Sequence, residues 1–89
     1  YDDAIQGFAT SDEIQAGAGN DSVSGGAGDD EIYAGDGDDT IHGGIGSDTV
    51  YAGDGNDIAF ELDDDSDDVL YGEAGDDQMN GGAGDDYLD

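Results

Sequence analysis

Residues 25–51 read GGAGDDEIY (25–33), AGDGDDTIH (34–42), GGIGSDTVY (43–51), three consecutive nonapeptides in which the same residue types return at the same places. The second and fourth places are Gly, the sixth is Asp and the eighth is Ile or Val. A fixed internal period outranks any local reading of helix or strand, because each repeat must be one structural unit. Extending the register backwards gives GFATSDEIQ (7–15) and AGAGNDSVS (16–24), with residues 1–6, YDDAIQ, as the tail of an earlier unit. Forwards it gives AGDGNDIAF (52–60). Glu61 and Leu62 then interrupt the register, which resumes as DDDSDDVLY (63–71), GEAGDDQMN (72–80) and GGAGDDYLD (81–89).

Every one of the 18 glycines falls at the first, second or fourth place. The sixth place is Asp in all ten units, the partial one included: Asp3, Asp12, Asp21, Asp30, Asp39, Asp48, Asp57, Asp68, Asp77 and Asp86. The eighth is apolar throughout: Ile5, Ile14, Val23, Ile32, Ile41, Val50, Ala59, Leu70, Met79 and Leu88.

Glycine at this density forbids a helix and permits positive φ, so the first six places form a tight loop. The last three, one apolar residue between two outward ones, are the shortest alternating strand. Loop and strand make a half-turn. Two units, 18 residues, then complete one coil with a strand on each of two opposed sheets, and the chain is an all-β parallel solenoid of about five coils. The first place supports this pairing: it is Ala16, Ala34 and Ala52 in one row but Gly7, Gly25 and Gly43 in the other.

Loops two units apart lie one strand spacing apart, about 4.8 Å. One edge therefore carries a column of Asp21, Asp39, Asp57 and Asp77, the other a column of Asp12, Asp30, Asp48, Asp68 and Asp86. At that spacing two carboxylates repel by about 1 kcal/mol even in bulk water. A cation between successive loops reverses the sign. Carboxylate and carbonyl oxygens with no His or Cys among them select a hard divalent ion, and irregular oxygen ligation favours Ca²⁺ over octahedral Mg²⁺.

Composition sets the limits around this pattern. Of 89 residues 26 are Asp or Glu and none is Lys or Arg, a formal charge of −26. Nucleic acid and anionic membrane surfaces, which are bound by clustered Lys and Arg, are excluded as partners. Leu, Ile, Val and Phe number 14 of 89, a level at which a highly charged chain is expected to be disordered. There is no Cys to staple it and no Pro. No apolar run approaches the roughly 20 residues of a membrane-spanning helix, and no signal-peptide pattern follows Tyr1. Without an initiating Met the chain reads as a piece of something longer.

The unit resembles the calcium-binding nonapeptide of the RTX (repeats-in-toxin) family, GGxGxDxUx, over essentially all 89 residues. GGAGDDEIY (25–33), GGIGSDTVY (43–51) and GGAGDDYLD (81–89) fit it at every place. The resemblance implies a right-handed parallel β-roll with calcium between stacked loops, secretion by a type I machine, and a bacterial extracellular or cell-surface location. Family members include toxins, proteases, lipases, epimerases, adhesins and surface-layer proteins, so it leaves the parent protein open.

It also implies the ligands. Carbonyls at places two and four and the Asp of one unit meet carbonyls at places one and three and the Asp of the unit two further on. Gly17, Gly19 and Asp21 thus face Ala34, Asp36 and Asp39; Gly35, Gly37 and Asp39 face Ala52, Asp54 and Asp57. Gly26, Gly28 and Asp30 face Gly43, Ile45 and Asp48 on the other edge. A fourth site, Gly53, Gly55 and Asp57 against Gly72, Ala74 and Asp77, spans the insertion. About four ions are expected, up to about seven if the loops at Asp12, Asp68 and Asp86 also bind. Units 7–12 and 63–68 lack glycine at places two and four, and in the second the side chains of Asp63 or Asp65 are candidate substitutes for main-chain oxygens.

Other features have simpler readings. Asp63–Asp68 is no EF-hand, since Asp68 stands where that loop needs Gly, Ala74 where it needs Glu, and no helix flanks it. His42 takes an outward ninth place. With no Lys, Arg or Cys and one His, the usual catalytic pairings cannot be assembled, and this segment is expected not to be an enzyme. Asn20-Asp21-Ser22 matches a glycosylation sequon within a loop assigned to metal. Tyr33, Tyr51 and Tyr71 share the ninth place of one row and should stack as an outward ladder. Ile58, Phe60 and Leu62 surround the weakest core residue, Ala59, where a bulge or lengthened strand is expected.

The functional expectation is a single module that is self-repelling where calcium is scarce, folds on binding it, and serves as a rigid spacer beside the rest of its parent chain. The alternative is an adhesive or surface-array role, with a protein partner or self-assembly through the Tyr ladder or the 58–62 patch. An ice-binding role is disfavoured by Ala18, Asp36, Asp54 and Ala74 at the outward third place. Both end strands should be exposed unless flanking sequence caps them.

Overall fold

In the computed structural model, which describes residues 2–61 and 66–89, every strand among the described residues begins at a seventh place of the nonapeptide. One sheet has the order β1 (Ala4–Gln6), β3 (Ser22–Ala27), β5 (Thr40–Ile45), β7 (Ile58–Phe60), β9 (Gln78–Asn80). The opposed sheet runs β2 (Glu13–Ala18), β4 (Glu31–Asp36), β6 (Thr49–Asp54), β8 (Val69–Tyr71), β10 (Tyr87–Leu88). All pairings are parallel, and consecutive strands alternate between sheets, as a coil of two nonapeptides requires. Ile14 lies beside Ile32, Ile32 beside Val50 and Val50 beside Leu70.

The eighth-place residues line the space between the sheets. Ile32, Ile41, Val50 and Leu70 are fully buried, with Ile14, Val23 and Ala59 nearly so. Ala34 and Ala52, at the first place, complete the core, and Ile5, Ala16 and Met79 pack against it. Side chains this small permit a thin molecule, 15 Å along its shortest axis.

Five strands extend past the ninth place through the next three residues, so strand and loop overlap. Glycines at places two and four, such as Gly35 (φ 107°) and Gly37 (φ 129°), sit in the left-handed region. A methyl group on either would collide with the carbonyl of Gly17 or Gly19 in the coil before. Only glycine meets both demands.

The irregularity expected over 58–62 is not found in residues 58–61. Ile58, Ala59 and Phe60 pair in register with Thr40, Ile41 and His42 on one side and Gln78, Met79 and Asn80 on the other, with no bulge. Strand β7 has three residues, as β9 has, against six in β5, so it is not lengthened. Beyond Phe60 the N–H groups of Gly43 and Gly44 are met by the Glu61 carboxylate, each at 2.8 Å. Glu61 takes the first place of its coil: its N–H donates to the Asn80 carbonyl as those of Gly7 and Gly72 donate to Ser24 and Asp89. The coil-to-coil hydrogen bonding therefore continues at Glu61, just past the end of β7. Leu62, Asp63 and Asp65 lie outside the described residues.

On the outward faces, Tyr33, Tyr51 and Tyr71 form the expected ladder, with ring centroids 4.7 and 5.0 Å apart and planes nearly parallel. His42 is outward as expected and half-buried, its ring 5.1 Å from that of Phe60.

Candidate metal centre

Successive loops on each edge are stacked by two opposed ladders of hydrogen bonds. In the first, the main-chain N–H of each sixth-place Asp donates to the side chain of the sixth-place Asp one coil on. Asp21 donates to Asp39 Oδ1 at 2.7 Å, Asp39 to Asp57 at 2.8 Å and Asp57 to Asp77 at 2.9 Å. On the other edge Asp12 donates to Asp30, Asp30 to Asp48, Asp48 to Asp68 and Asp68 to Asp86, at 2.8 to 3.0 Å. The second ladder runs the other way through the fifth place. Asn20 Oδ1 accepts from the N–H of Asp38, Asp38 from Asn56, and Asn56 from Asp76, each at 2.9 Å.

The first ladder uses only one oxygen of each carboxylate. The Oδ2 atoms of Asp21, Asp30, Asp39 and Asp57 are buried and have no hydrogen-bond partner. A carboxylate oxygen in that position carries a desolvation cost that nothing in the chain repays, because there is no Lys or Arg. Burial, opposed by the main-chain hydrogen bond and reinforced by neighbouring carboxylates, raises the pKa of Asp30 and Asp39 and pushes that of Asp57 up to about 6.

Main-chain oxygens also stand between successive coils. The carbonyls of Gly17, Gly19, Gly26, Gly28, Gly35 and Gly37, at places two and four, lean on the glycines of the following coil; those of Gly25 and Gly43, at place one, lean on the preceding coil. All four loop pairs are brought into register. Gly19 N–H donates to Asp36 O, Gly37 to Asp54, Gly28 to Ile45 and Gly55 to Ala74, at 2.8 to 2.9 Å. The third-place carbonyls are thus already bonded across each gap, each keeping one lone pair. Ala34 and Ala52, at the first place, are buried beneath one edge, Gly72 and Gly53 belong to the pair that spans the insertion, and that pair keeps its stacking through the bridge between Asp54 and Ala74. Among the described residues no three His, Cys, Asp or Glu side chains converge on one point. Each pair of stacked loops is bridged by a sixth-place carboxylate.

Asp12 differs from Asp30, the next in its column: its Oδ2 accepts the Phe8 N–H at 2.9 Å within the same loop, whereas that of Asp30 is buried without a hydrogen-bond partner. Phe8, standing where the unit has glycine, projects into solvent, 79% exposed.

Two roles escape sequence reasoning. The fifth place is Asp, Asn or Ser in every unit, a signal that reads as solubility until stacking shows its oxygen accepting an N–H from the next coil. Glu61, fully buried, has its pKa raised to about 7 by burial, opposed by the Gly44 and Gly43 N–H groups and reinforced by Asp48 and Asp68.

The residues present fit a hard cation: buried, uncompensated carboxylate oxygens share each gap with carbonyl oxygens, and nitrogen and sulfur donors are missing. No curated protein and no solved structure matches the chain. The family model of the RTX calcium-binding nonapeptide repeat matches residues 6–41, 26–59 and 63–89. With nearly the whole chain so matched, it belongs to the RTX calcium-binding nonapeptide repeat family and is a calcium-binding β-roll module.

Proposed function

We propose that the chain is a calcium-responsive folding module in which the four registered gaps, Asp21/Asp39, Asp39/Asp57, Asp57/Asp77 and Asp30/Asp48, are the principal ion sites. The observation that carries this is the set of buried Oδ2 atoms on Asp21, Asp30, Asp39 and Asp57 without partners, in a chain of charge −26 that holds no cationic side chain. Bound calcium supplies positive charge to each gap. The chain's own residues hold the geometry: the glycines turn their carbonyls into the gap, the fifth-place side chains fix the loop spacing, and the eighth-place residues exclude water beneath. Because no loop converges its oxygens until its neighbour is stacked, binding and folding are one event.

The family is typically extracellular and bacterial. A chain that self-repels at low calcium and folds at high calcium suits export unfolded through a type I machine followed by folding outside, where the rigid roll spaces the parts of a larger secreted protein. Repeats of this family are structural calcium-binding modules, and the reading assigns this segment the same role. Equilibrium dialysis counting ions per chain tests the reading. Four to about six are expected; fewer than two would overturn it. The loop at Asp12, with its Oδ2 satisfied by Phe8, is expected to contribute none.

A further inference from the structure

The acidic residues are not spread evenly over the roll. The strands of the sheet β1-β3-β5-β7-β9 contain no Asp or Glu at all, whereas the opposed sheet carries Glu13, Glu31, Asp36 and Asp54 in its strands. Outward from the acid-free sheet stand Ser22 and Ser24, Thr40 and His42, Ile58 and Phe60, and Gln78 and Asn80, neighbours through the parallel register. Ile58 is 42% exposed. In a chain of charge −26, the strands of this face are, among the described residues, neutral and in part apolar.

We infer that this acid-free face is a docking surface for a second copy of the same chain. The charge distribution selects the occupant. A basic partner would be drawn to the acidic loops and to the opposed sheet, so a neutral face gives it no advantage. An acidic partner can approach only where repulsion is least, and two copies of this chain meet that condition by placing neutral face on neutral face. Shape agrees: a two-fold axis along β5 sets the small Ser22 and Ser24 of one copy over the bulky Ile58 and Phe60 of the other, in the isologous manner of a closed dimer. The face is small, so the dimer is weak, with a dissociation constant on the order of 10–100 µM.

Sedimentation equilibrium of the calcium-loaded chain, at about 0.15 M and about 0.5 M salt, tests this. A reversible dimer that tightens as salt rises is expected, because the remaining long-range term is repulsion between the two net charges. Thr40→Asp, placing like charges face to face, should weaken the dimer at least about tenfold. Thr49→Asp, at the equivalent outward place of β6, adds the same charge to the tyrosine-bearing face and should leave association within about twofold; circular dichroism establishes that both variants fold. A wild-type chain that stays monomeric in both salts overturns the inference. So does equal loss of the dimer in Thr49→Asp, which would put the contact on the tyrosine face, or capture of a different acidic protein by a chain that remains monomeric.

Discussion

Asp39 belongs to two gaps at once, receiving the Asp21 N–H on Oδ1 while its own N–H goes to Asp57. Asp39→Asn keeps an oxygen for the first bond and removes the charge. Isothermal titration should then show one or two fewer ions per chain and a calcium midpoint raised at least about tenfold; Asp29→Asn, whose Oδ1 serves only the fifth-place ladder, should change neither. Proton linkage has a definite sign. In the metal-free fold, burial raises Asp57 from 3.8 to about 6 and Glu61 from 4.5 to about 7, so the folded state binds protons more tightly than the unfolded one. Their contribution favours the metal-free fold below about pH 4 and is lost as pH rises through about 6 to 7. Thermal melts in chelator should accordingly give a metal-free roll that is more stable at pH 4.5 than at pH 7.5, and calcium affinity should fall as pH drops through the same window. A metal-free chain most stable at neutral pH would contradict the burial of these carboxylates.

Loops and strands respond to different substitutions. Glu73 occupies a second place with φ 68°, the left-handed conformation that glycine adopts at this place in most other units. Glu73→Gly should stabilise the calcium-loaded roll by about 0.5–1 kcal/mol, the relief of strain exceeding the added chain entropy. Gly37→Ala meets both positive φ and the Gly19 carbonyl and should cost more than about 1 kcal/mol; denaturation curves in saturating calcium measure both. Strand starts were legible from the seventh to ninth places because alternation about one apolar residue leaves no other inward set. The continuation of β2 to β6 through the next three residues was not, since glycine at place two disguises a strand as a turn. Glu61 counted as an insertion in the linear register, and only stacking against Gly43 and Gly44 shows it at a first place. The tyrosine ladder was legible because Tyr33, Tyr51 and Tyr71 recur at one place of alternate units; the Tyr33 hydroxyl also donates to Glu31, which with burial and nearby negative charge pushes its pKa up to about 12.

At the scale of the whole molecule the charge of −26 and the thin core decide the behaviour together. Among the described residues nine buried apolar ones, mostly Ile, Val and Ala, hold two columns of carboxylates one coil apart, and no cationic side chain offsets them. Four divalent ions would bring eight positive charges against 26 negative ones, placed among the six sixth-place carboxylates that the four gaps stack together, while the other acids keep the loop edges solvated. Fold and disorder are then two states of one sequence, chosen by calcium. Far-UV circular dichroism of the chain in chelator and in millimolar calcium, with equal magnesium as the control, tests this most directly. The account predicts a disordered spectrum at pH 7.5 in chelator and in magnesium, converting cooperatively to a β spectrum in calcium; the same spectrum in all three solutions, folded or disordered, would contradict it.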